Sequence, residues 1–120
     1  MLNEKAIAGL LEASPEKRYK SFLNMVADLE AIWLSSSTAQ ALHTVDMVTC
    51  MSLWPCQEIC ELMLPTGQEA MSIEIHDFLE QCTALDDTVS FMVFPTNKNS
   101  YKVTVQQLCL DIQEHLDELE

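Results

Sequence analysis

The residues of this chain that could do chemistry are above all its cysteines, three of which lie close together in the sequence. Cys56 and Cys60 are one helical turn apart, and Cys50 precedes them. A structural zinc site uses four ligands and usually contains a close pair such as C-x-x-C. No such pair occurs, and His43 or His76 would have to complete the set. The spacing therefore predicts free thiols, with no bound metal and no other cofactor.

Cys56 is the candidate reactive thiol, because it follows Pro55 at the predicted start of a helix. The positive end of a helix dipole stabilises a thiolate, which is the nucleophilic form of cysteine. Glu58 lies close in sequence and opposes that effect. We favour the alternative that Cys56 is simply a small side chain at a helix start. Cys82 and Cys109 occur among apolar residues at helical spacing and are predicted to fill the core.

The other polar residues form no recognisable catalytic motif. His43, His76 and His115 fall in different predicted elements, and none belongs to a triad-like arrangement. The chain has no calcium-binding loop and no glycine-rich phosphate loop. We therefore expect surface histidines and no catalytic residue, which favours a non-enzymatic protein.

Charge is the most extreme property of the composition. The chain holds 19 Asp and Glu against 6 Lys and Arg, a formal net charge of -13. Nucleic acids and anionic membranes are bound by clustered positive charge, and the six basic residues are scattered. We therefore expect no nucleic-acid or membrane partner, and a basic protein is the partner that this charge suits. Solubility is the simpler alternative use of the same charge.

The start of the chain and its cysteines predict the compartment. Glu4 and Lys5 interrupt the first apolar residues, and no signal-peptide cleavage pattern follows. No apolar run is long enough to span a membrane. Free thiols without a secretory signal predict the reducing environment of the cytoplasm.

Helical periodicity predicts five helices. Asn3 is expected to cap a short first helix, Ser14 and Pro15 to begin a second, and Pro55 to open a third. Thr104 is expected to cap the last helix, with Gln107 completing a capping box. The apolar stripes of the five helices contain Ala6, Ile7, Leu10 and Leu11; Tyr19, Phe22, Leu23, Val26 and Leu29; Ile59, Leu62 and Met63; Ile75, Phe78, Leu79 and Cys82; and Val105, Leu108, Cys109, Ile112, Leu116 and Leu119.

Short apolar or alternating runs predict the strands. They lie at 32–34, 39–45, 47–53, 70–73, 88–94 and 101–103, with turns at Asp46 and at Asp86-Asp87. The 70–73 run reads as an edge strand, the 88–94 run as a central one with apolar residues on both faces, and the last two runs as a hairpin. The pattern predicts one α+β domain over 1–120, with an antiparallel sheet of about five strands backed by about five helices.

Two surfaces are candidates for binding. Trp54 precedes a proline at a strand-to-helix junction, which indicates either a core corner, the interpretation we favour, or the wall of a cleft. A candidate pocket would contain Trp33, Trp54 and Tyr101. Acidic residues crowd the end of the last helix, where the dipole is already negative. We expect a basic partner to dock there, on the candidate surface formed by Leu110, Glu114, Asp117 and Glu118.

Several segments occur together in a familiar order. They are 14–19 with Phe22-Leu23 and Val26-Ala27-Asp28, Trp33-Leu34, Leu53-Trp54-Pro55 followed by Glu58, Ile73 with 77–80, and Val93-Phe94-Pro95. In this order they resemble the bacterial family called domain of unknown function 2750, over about 14 to 120. The resemblance implies a small bacterial cytosolic protein without an assigned activity, and it supplies no catalytic residues. The chain departs from the family pattern at Cys56, where a His is usual, at 35–38, and at 65–69, which is short and lacks a Trp.

Three functional hypotheses are open at this point. The first is a non-enzymatic interaction domain that binds a basic protein, for example an immunity or antitoxin-like protein. The second is an enzyme or sensor that uses the Cys56 thiol, with Cys50 or Cys60 as its partner. The third, by analogy alone, is a homodimer resembling a secretion chaperone.

Overall fold

The computed structural model of the chain describes residues 4–36, 50–64, 67–85, 89–96 and 99–119, without the side chains of Cys50 and Leu119. Within these residues the helices are α1 (Glu4–Glu12), α2 (Pro15–Leu29), α3 (Gln57–Met63), α4 (Ile75–Cys82) and α5 (Val105–Leu119). The strands are β1 (Ala31–Ser35), β2 (Cys50–Leu53), β3 (Ala70–Glu74), β4 (Ser90–Val93) and β5 (Tyr101–Thr104). The predicted Asn3 cap, the strand at 39–45, His43, and the turns at Asp46 and Asp86-Asp87 lie outside the described residues.

The strands form two small sheets, so the prediction of one antiparallel sheet is wrong, whereas that of a single α+β domain is confirmed. β1 pairs antiparallel with β3, and β4 lies between β2 and β5. β5 is antiparallel to β4, as the hairpin prediction requires, but β2 runs parallel to β4. The physical reason is the connection, because the chain between β2 and β4 includes α3, β3 and α4, and a long crossover permits parallel pairing. The central position of β4 and the existence of β3 are both confirmed.

One backbone bridge joins the two sheets. Trp33 in β1 and Trp54, directly after β2, exchange hydrogen bonds of 3.0 and 2.8 Å between their backbone N–H and C=O groups. The bridge places the end of α2 and the start of α3 on either side of the same junction.

The core lies where α2 and α5 pack against each other and against β4 and β5. Phe22, Phe91, Leu108 and Ile112 are all fully buried there. α4 closes another side of the core, and the rings of Phe78 and Phe91 lie 5.5 Å apart. The core is therefore continuous from α2 to α4.

Most of the described residues of the predicted stripes are buried or half-buried, but Ala6 and two leucines are exposed. Leu29 and Leu62 are 55% and 58% exposed. Leu62 is exposed because α3 turns Ile59 and Cys60 into the core instead, while Leu29 is the last residue of α2 and faces a cleft. No described helix is long and apolar enough to cross a membrane.

The predicted caps at Ser14 and Thr104 are confirmed with one change. The Ser14 hydroxyl accepts from the Lys17 N–H at 3.3 Å, and the Thr104 hydroxyl accepts from the Gln107 N–H at 3.1 Å. The Gln107 side chain donates to Asp111 at 2.9 Å rather than returning to Thr104. The capping box is therefore only half formed.

Candidate functional site

A cleft of about 550 Å³ opens where α2 ends, β1 begins and α3 starts. We call it the Trp33 cleft. It is lined by Met25, Asp28, Leu29, Ala31, Trp33, Cys56, Gln57 and Glu58. The bridge between Trp33 and Trp54 holds β1 beside the segment that leads into α3, so the two walls are fixed relative to each other.

The Trp33 cleft combines apolar walls with carboxylates. Met25, Leu29 and Trp33 supply the apolar surface, while Asp28 and Glu58 supply two negative charges. The chain contains no Lys or Arg from 21 to 97, so the segments that line the cleft bring no cation of their own. A Lys or Arg side chain matches this arrangement, because its stem is apolar and its head is positively charged. Trp is also the best aromatic partner for such a cation.

Glu30 adds a strained acidic residue between two residues that line the cleft. It ends α2 in the left-handed conformation, with φ 57 and ψ 30. Glycine or asparagine is the usual residue at such a helix end, since other side chains are disfavoured there. The Glu30 carbonyl accepts a 2.9 Å hydrogen bond from the Ile75 N–H, which holds the turn against α4. The strain and the extra negative charge therefore coincide at the edge of the cleft.

Cys56 forms part of the wall, and its environment opposes thiolate formation. The residue is 5% exposed. Burial raises the pKa of its thiol, and neighbouring Glu58 raises it further, whereas hydrogen bonds from backbone N–H groups act in the opposite direction. Burial also raises the pKa of Cys60 to about 12. Both thiols are therefore protonated at neutral pH, which does not favour a nucleophilic role for Cys56.

The described residues contain no group of three or more His, Cys, Asp or Glu side chains placed to hold a metal ion. His43 and the side chain of Cys50 lie outside the described part of the chain. His76 is exposed, and its Nδ1 lies 2.7 Å from the Glu74 carboxylate. His115 is half-buried, with its Nδ1 3.0 Å from the Asp111 carbonyl oxygen.

The three residues of the candidate aromatic pocket occupy three different environments. Trp33 lines the cleft described above. Trp54 is buried at the core corner, where its indole N–H donates to the Pro95 carbonyl at 3.2 Å. Tyr101 stacks on Tyr19 with a centroid distance of 4.4 Å. Among the described cavities, only Trp33 of these three lines one.

The candidate partner surface on α5 is accessible. Leu110 is 65% exposed, and Glu114, Asp117 and Glu118 are exposed as well. Leu110, Glu114 and Glu118 are spaced by four residues and so share one face of the helix. The surface has no described Lys or Arg on its own helix, and it borders a second cavity between α4 and α5.

Sequence reasoning missed the buried Arg18, which is only 1% exposed. Its guanidinium donates to three backbone carbonyls, those of Phe94 at 3.1 Å, Ala13 at 2.5 Å and Asn99 at 3.1 Å, and also to the Asn99 side-chain oxygen. Burial lowers the pKa of Arg18, and the nearby Glu16 partly offsets this. The available signal was its spacing, because Arg18 lies four residues before Phe22 on the buried stripe of α2.

Comparison with known proteins gave no match, either to a family model, to a curated protein or to a solved structure.

Proposed function

We propose that the protein is a non-enzymatic interaction domain that binds a basic segment of a partner protein, with a Lys or Arg side chain entering the Trp33 cleft. The observation that carries the proposal is the pairing of Asp28 and Glu58 with an apolar, tryptophan-containing wall. The apolar part of the cleft accommodates the aliphatic stem, and the carboxylates receive the charged head.

The energies involved indicate a modest contribution from each contact. A partly exposed carboxylate contributes about 0.2–1 kcal/mol to an ion pair, and an exposed cation–π contact adds about 0.5–1 kcal/mol. Burial of the stem adds about 0.8 kcal/mol for each methylene group. One inserted side chain is therefore an anchor, and a stable complex requires further contacts.

The α5 surface suits the attraction of a basic partner toward the protein. Its exposed carboxylates carry the same sign as the cleft, and a field of one sign accelerates the approach of an oppositely charged partner. Salt weakens that steering, because the Debye length is about 8 Å at physiological ionic strength. A basic toxin bound by an acidic immunity or antitoxin-like protein is one concrete form of this function.

The test is a calorimetric titration with a short peptide of alternating Arg and Leu. We expect the double variant Asp28→Asn/Glu58→Gln to bind about tenfold more weakly than the unchanged chain, which corresponds to about 1.4 kcal/mol. The matched control Glu69→Gln/Glu80→Gln removes the same charge from two exposed positions outside both the cleft and the α5 surface, and should change the dissociation constant less than threefold.

Two results would contradict this proposal. Equal losses in the two double variants would show attraction to net charge without a site in the cleft. Absence of any peptide binding at low salt would remove the basic partner altogether.

The alternative of a thiol enzyme or sensor that uses Cys56 is tested by alkylation. The raised pKa of Cys56 leads us to expect iodoacetamide to modify it more slowly, at neutral pH, than it modifies the thiols of the unfolded chain. Faster modification of Cys56 in the folded protein would favour the thiol hypothesis over the interaction domain.

A further inference from the structure

Two cysteines that are far apart in sequence meet at the wall of the second cavity. Cys82 ends α4, Cys109 lies in α5, and their thiol groups are hydrogen-bonded to each other. Cys82 is 3% exposed, whereas Cys109 is half-buried. Cys82 belongs to the core as predicted, and Cys109 packs against it, but their mutual contact depends on the packing of α4 against α5, which neither stripe shows.

The cavity gives small molecules access to this thiol pair. It has a volume of about 590 Å³ and lies between α4 and α5. Its lining includes Cys82 and Cys109 together with Leu79, Val105 and Leu110. Because Leu110 is 65% exposed, the cavity is an opening at the protein surface.

The hydrogen bond gives the two sulfurs different roles. The hydrogen bond with Cys82 lowers the pKa of Cys109, although burial opposes it. The same bond raises the pKa of Cys82, and burial raises it further. Cys109 is thus the more acidic and more accessible thiol, the combination that makes a cysteine susceptible to oxidation. Cys82 is a protonated thiol in contact with it.

We propose that Cys82 and Cys109 are a redox site, in which a hydroperoxide converts the thiol pair into an intramolecular disulfide. The Cys109 thiolate attacks one peroxide oxygen, the O–O bond breaks, and Cys109 becomes a sulfenic acid while hydroxide leaves. The Cys82 sulfur then attacks the Cys109 sulfur and the S–OH bond breaks. The proton from Cys82 leaves with the hydroxyl group as water. Two electrons pass from the thiols to the peroxide, and a dithiol reductant reverses the change.

The other described thiols provide a natural comparison. Cys56 and Cys60 are one helical turn apart on the buried side of α3, and the pKa of each is raised. Neither thiol has the lowered pKa of Cys109, so neither is expected to react first. The Cys82–Cys109 pair also lies outside the Trp33 cleft, so its oxidation can be tested without a bound partner.

The experiment treats the fully reduced chain with hydrogen peroxide and follows it by intact mass and by non-reducing peptide mapping. We expect the loss of two hydrogen masses, one cross-linked peptide pair that joins Cys82 to Cys109, and full reversal by dithiothreitol. Cys60→Ser should form the same disulfide, whereas Cys109→Ser should not form it. In Cys82→Ser, Cys109 should proceed to the sulfinic acid, because no resolving thiol remains.

The peptide map of the unchanged chain decides the matter even if a variant folds poorly. The proposal is overturned if Cys109 of the unchanged chain reaches the sulfinic acid without a disulfide. It is equally overturned if Cys109 only cross-links two chains, or if Cys56 or Cys60 is oxidised before it.

Discussion

At the scale of single residues, Arg18 determines how two loops meet. Its carbonyl partners belong to the turn before α2 and to the two ends of the β4–β5 connection. Phe94, one of these partners, has a left-handed φ of 51, and its ring lies 5.9 Å from the guanidinium carbon. A bulky residue in this conformation is uncommon and is held in place by its surroundings. Arg18 is therefore a structural residue. Its buried positive charge is stabilised by carbonyl and amide oxygens instead of by a carboxylate.

Replacing Arg18 tests this role directly. Arg18→Met should lower the free energy of unfolding by about 3 kcal/mol, because buried carbonyl oxygens lose their donor and each unsatisfied group costs about 1–3 kcal/mol. Chemical denaturation measures the change. The neighbouring exposed residue supplies the control, since Lys17→Met should remain within about 0.5 kcal/mol of the unchanged chain. A change of similar size in both variants would contradict the structural role of Arg18.

The Glu74 carboxylate gives a pH-dependent contribution to stability. It accepts from the backbone N–H groups of His76 and Asp77 at the start of α4, at 2.7 and 3.0 Å, and from the His76 ring. The hydrogen bond with His76 is the main reason that the pKa of Glu74 is lowered, followed by the bond from the Asp77 N–H. A lowered folded-state pKa means that the stabilisation is present above the ordinary value of 4.5 and disappears as the pH falls through the lowered value.

We therefore expect Glu74→Gln to be less stable than the unchanged chain at pH 6. The difference should shrink as the pH falls and should vanish once Glu74 is protonated in both folded and unfolded states. Urea denaturation at a series of pH values measures the difference. Glu69→Gln removes an exposed carboxylate that caps no helix and should not show this trend. A constant difference for Glu74→Gln down to about pH 2 would contradict the assignment.

At the scale of the elements, the turn between α2 and β1 is the place where stability and proposed function conflict. Glu30 adopts a left-handed conformation that a non-glycine residue occupies at a cost of about 1–2 kcal/mol. Its negative charge also lies at the negative end of the α2 dipole. The left-handed conformation and the unfavourable position of the charge both oppose folding. Both are understandable if the acidic side chain is needed beside the Trp33 cleft.

The substitution Glu30→Gly separates the two roles. We expect it to raise the free energy of unfolding by about 1 kcal/mol, because it relieves the backbone conformation at a helix end where glycine is favoured. The same variant should bind the Arg-Leu peptide more weakly, because it removes a negative charge beside the cleft. Denaturation and calorimetry on the same sample measure the two effects. Stabilisation without any change in affinity would separate Glu30 from the proposed site.

The elements also show which parts of the fold could be predicted from sequence. The helices are local, and their caps at Ser14 and Thr104 depend on residues three positions away, so periodicity and capping rules locate them. The pairing of β2 with β4 is a long-range choice that no local pattern encodes. The same limit applies to the sites, because the Trp33 cleft joins α2, β1 and α3, and the cysteine pair joins α4 and α5. The negative charge of α5, in contrast, is read directly from its residue types, and the helical period predicts which of those residues are exposed.

At the scale of the whole molecule, charge is unevenly distributed along the fold. The described Lys residues lie on α1, α2 and β5, where acidic residues also occur, whereas α3, α4 and α5 carry acidic residues without Lys or Arg. This uneven distribution is the physical basis for expecting an oriented approach of a basic partner.

Three of the segments that resemble the domain of unknown function 2750 family contact one another in this molecule. Arg18 donates to the Phe94 carbonyl, and the Trp54 indole donates to the Pro95 carbonyl. These contacts give the segments a structural reason to occur together. Membership of the family stays a prediction, and the binding role proposed above does not depend on it.

The central claim, that a cationic side chain enters the Trp33 cleft, is tested most directly at the Trp33 indole. The chain has two tryptophans, so Trp54→Phe leaves Trp33 as the only indole N–H signal in a nitrogen–proton NMR spectrum. This variant should remain folded, with a loss of about 1–3 kcal/mol from the unpaired Pro95 carbonyl and the reduced packing at this buried position. We predict that the Arg-Leu peptide shifts the Trp33 signal saturably, and that a Gln-Leu peptide of equal length does not. Peptide binding that leaves the Trp33 signal unchanged, or an equal shift with both peptides, would contradict the account.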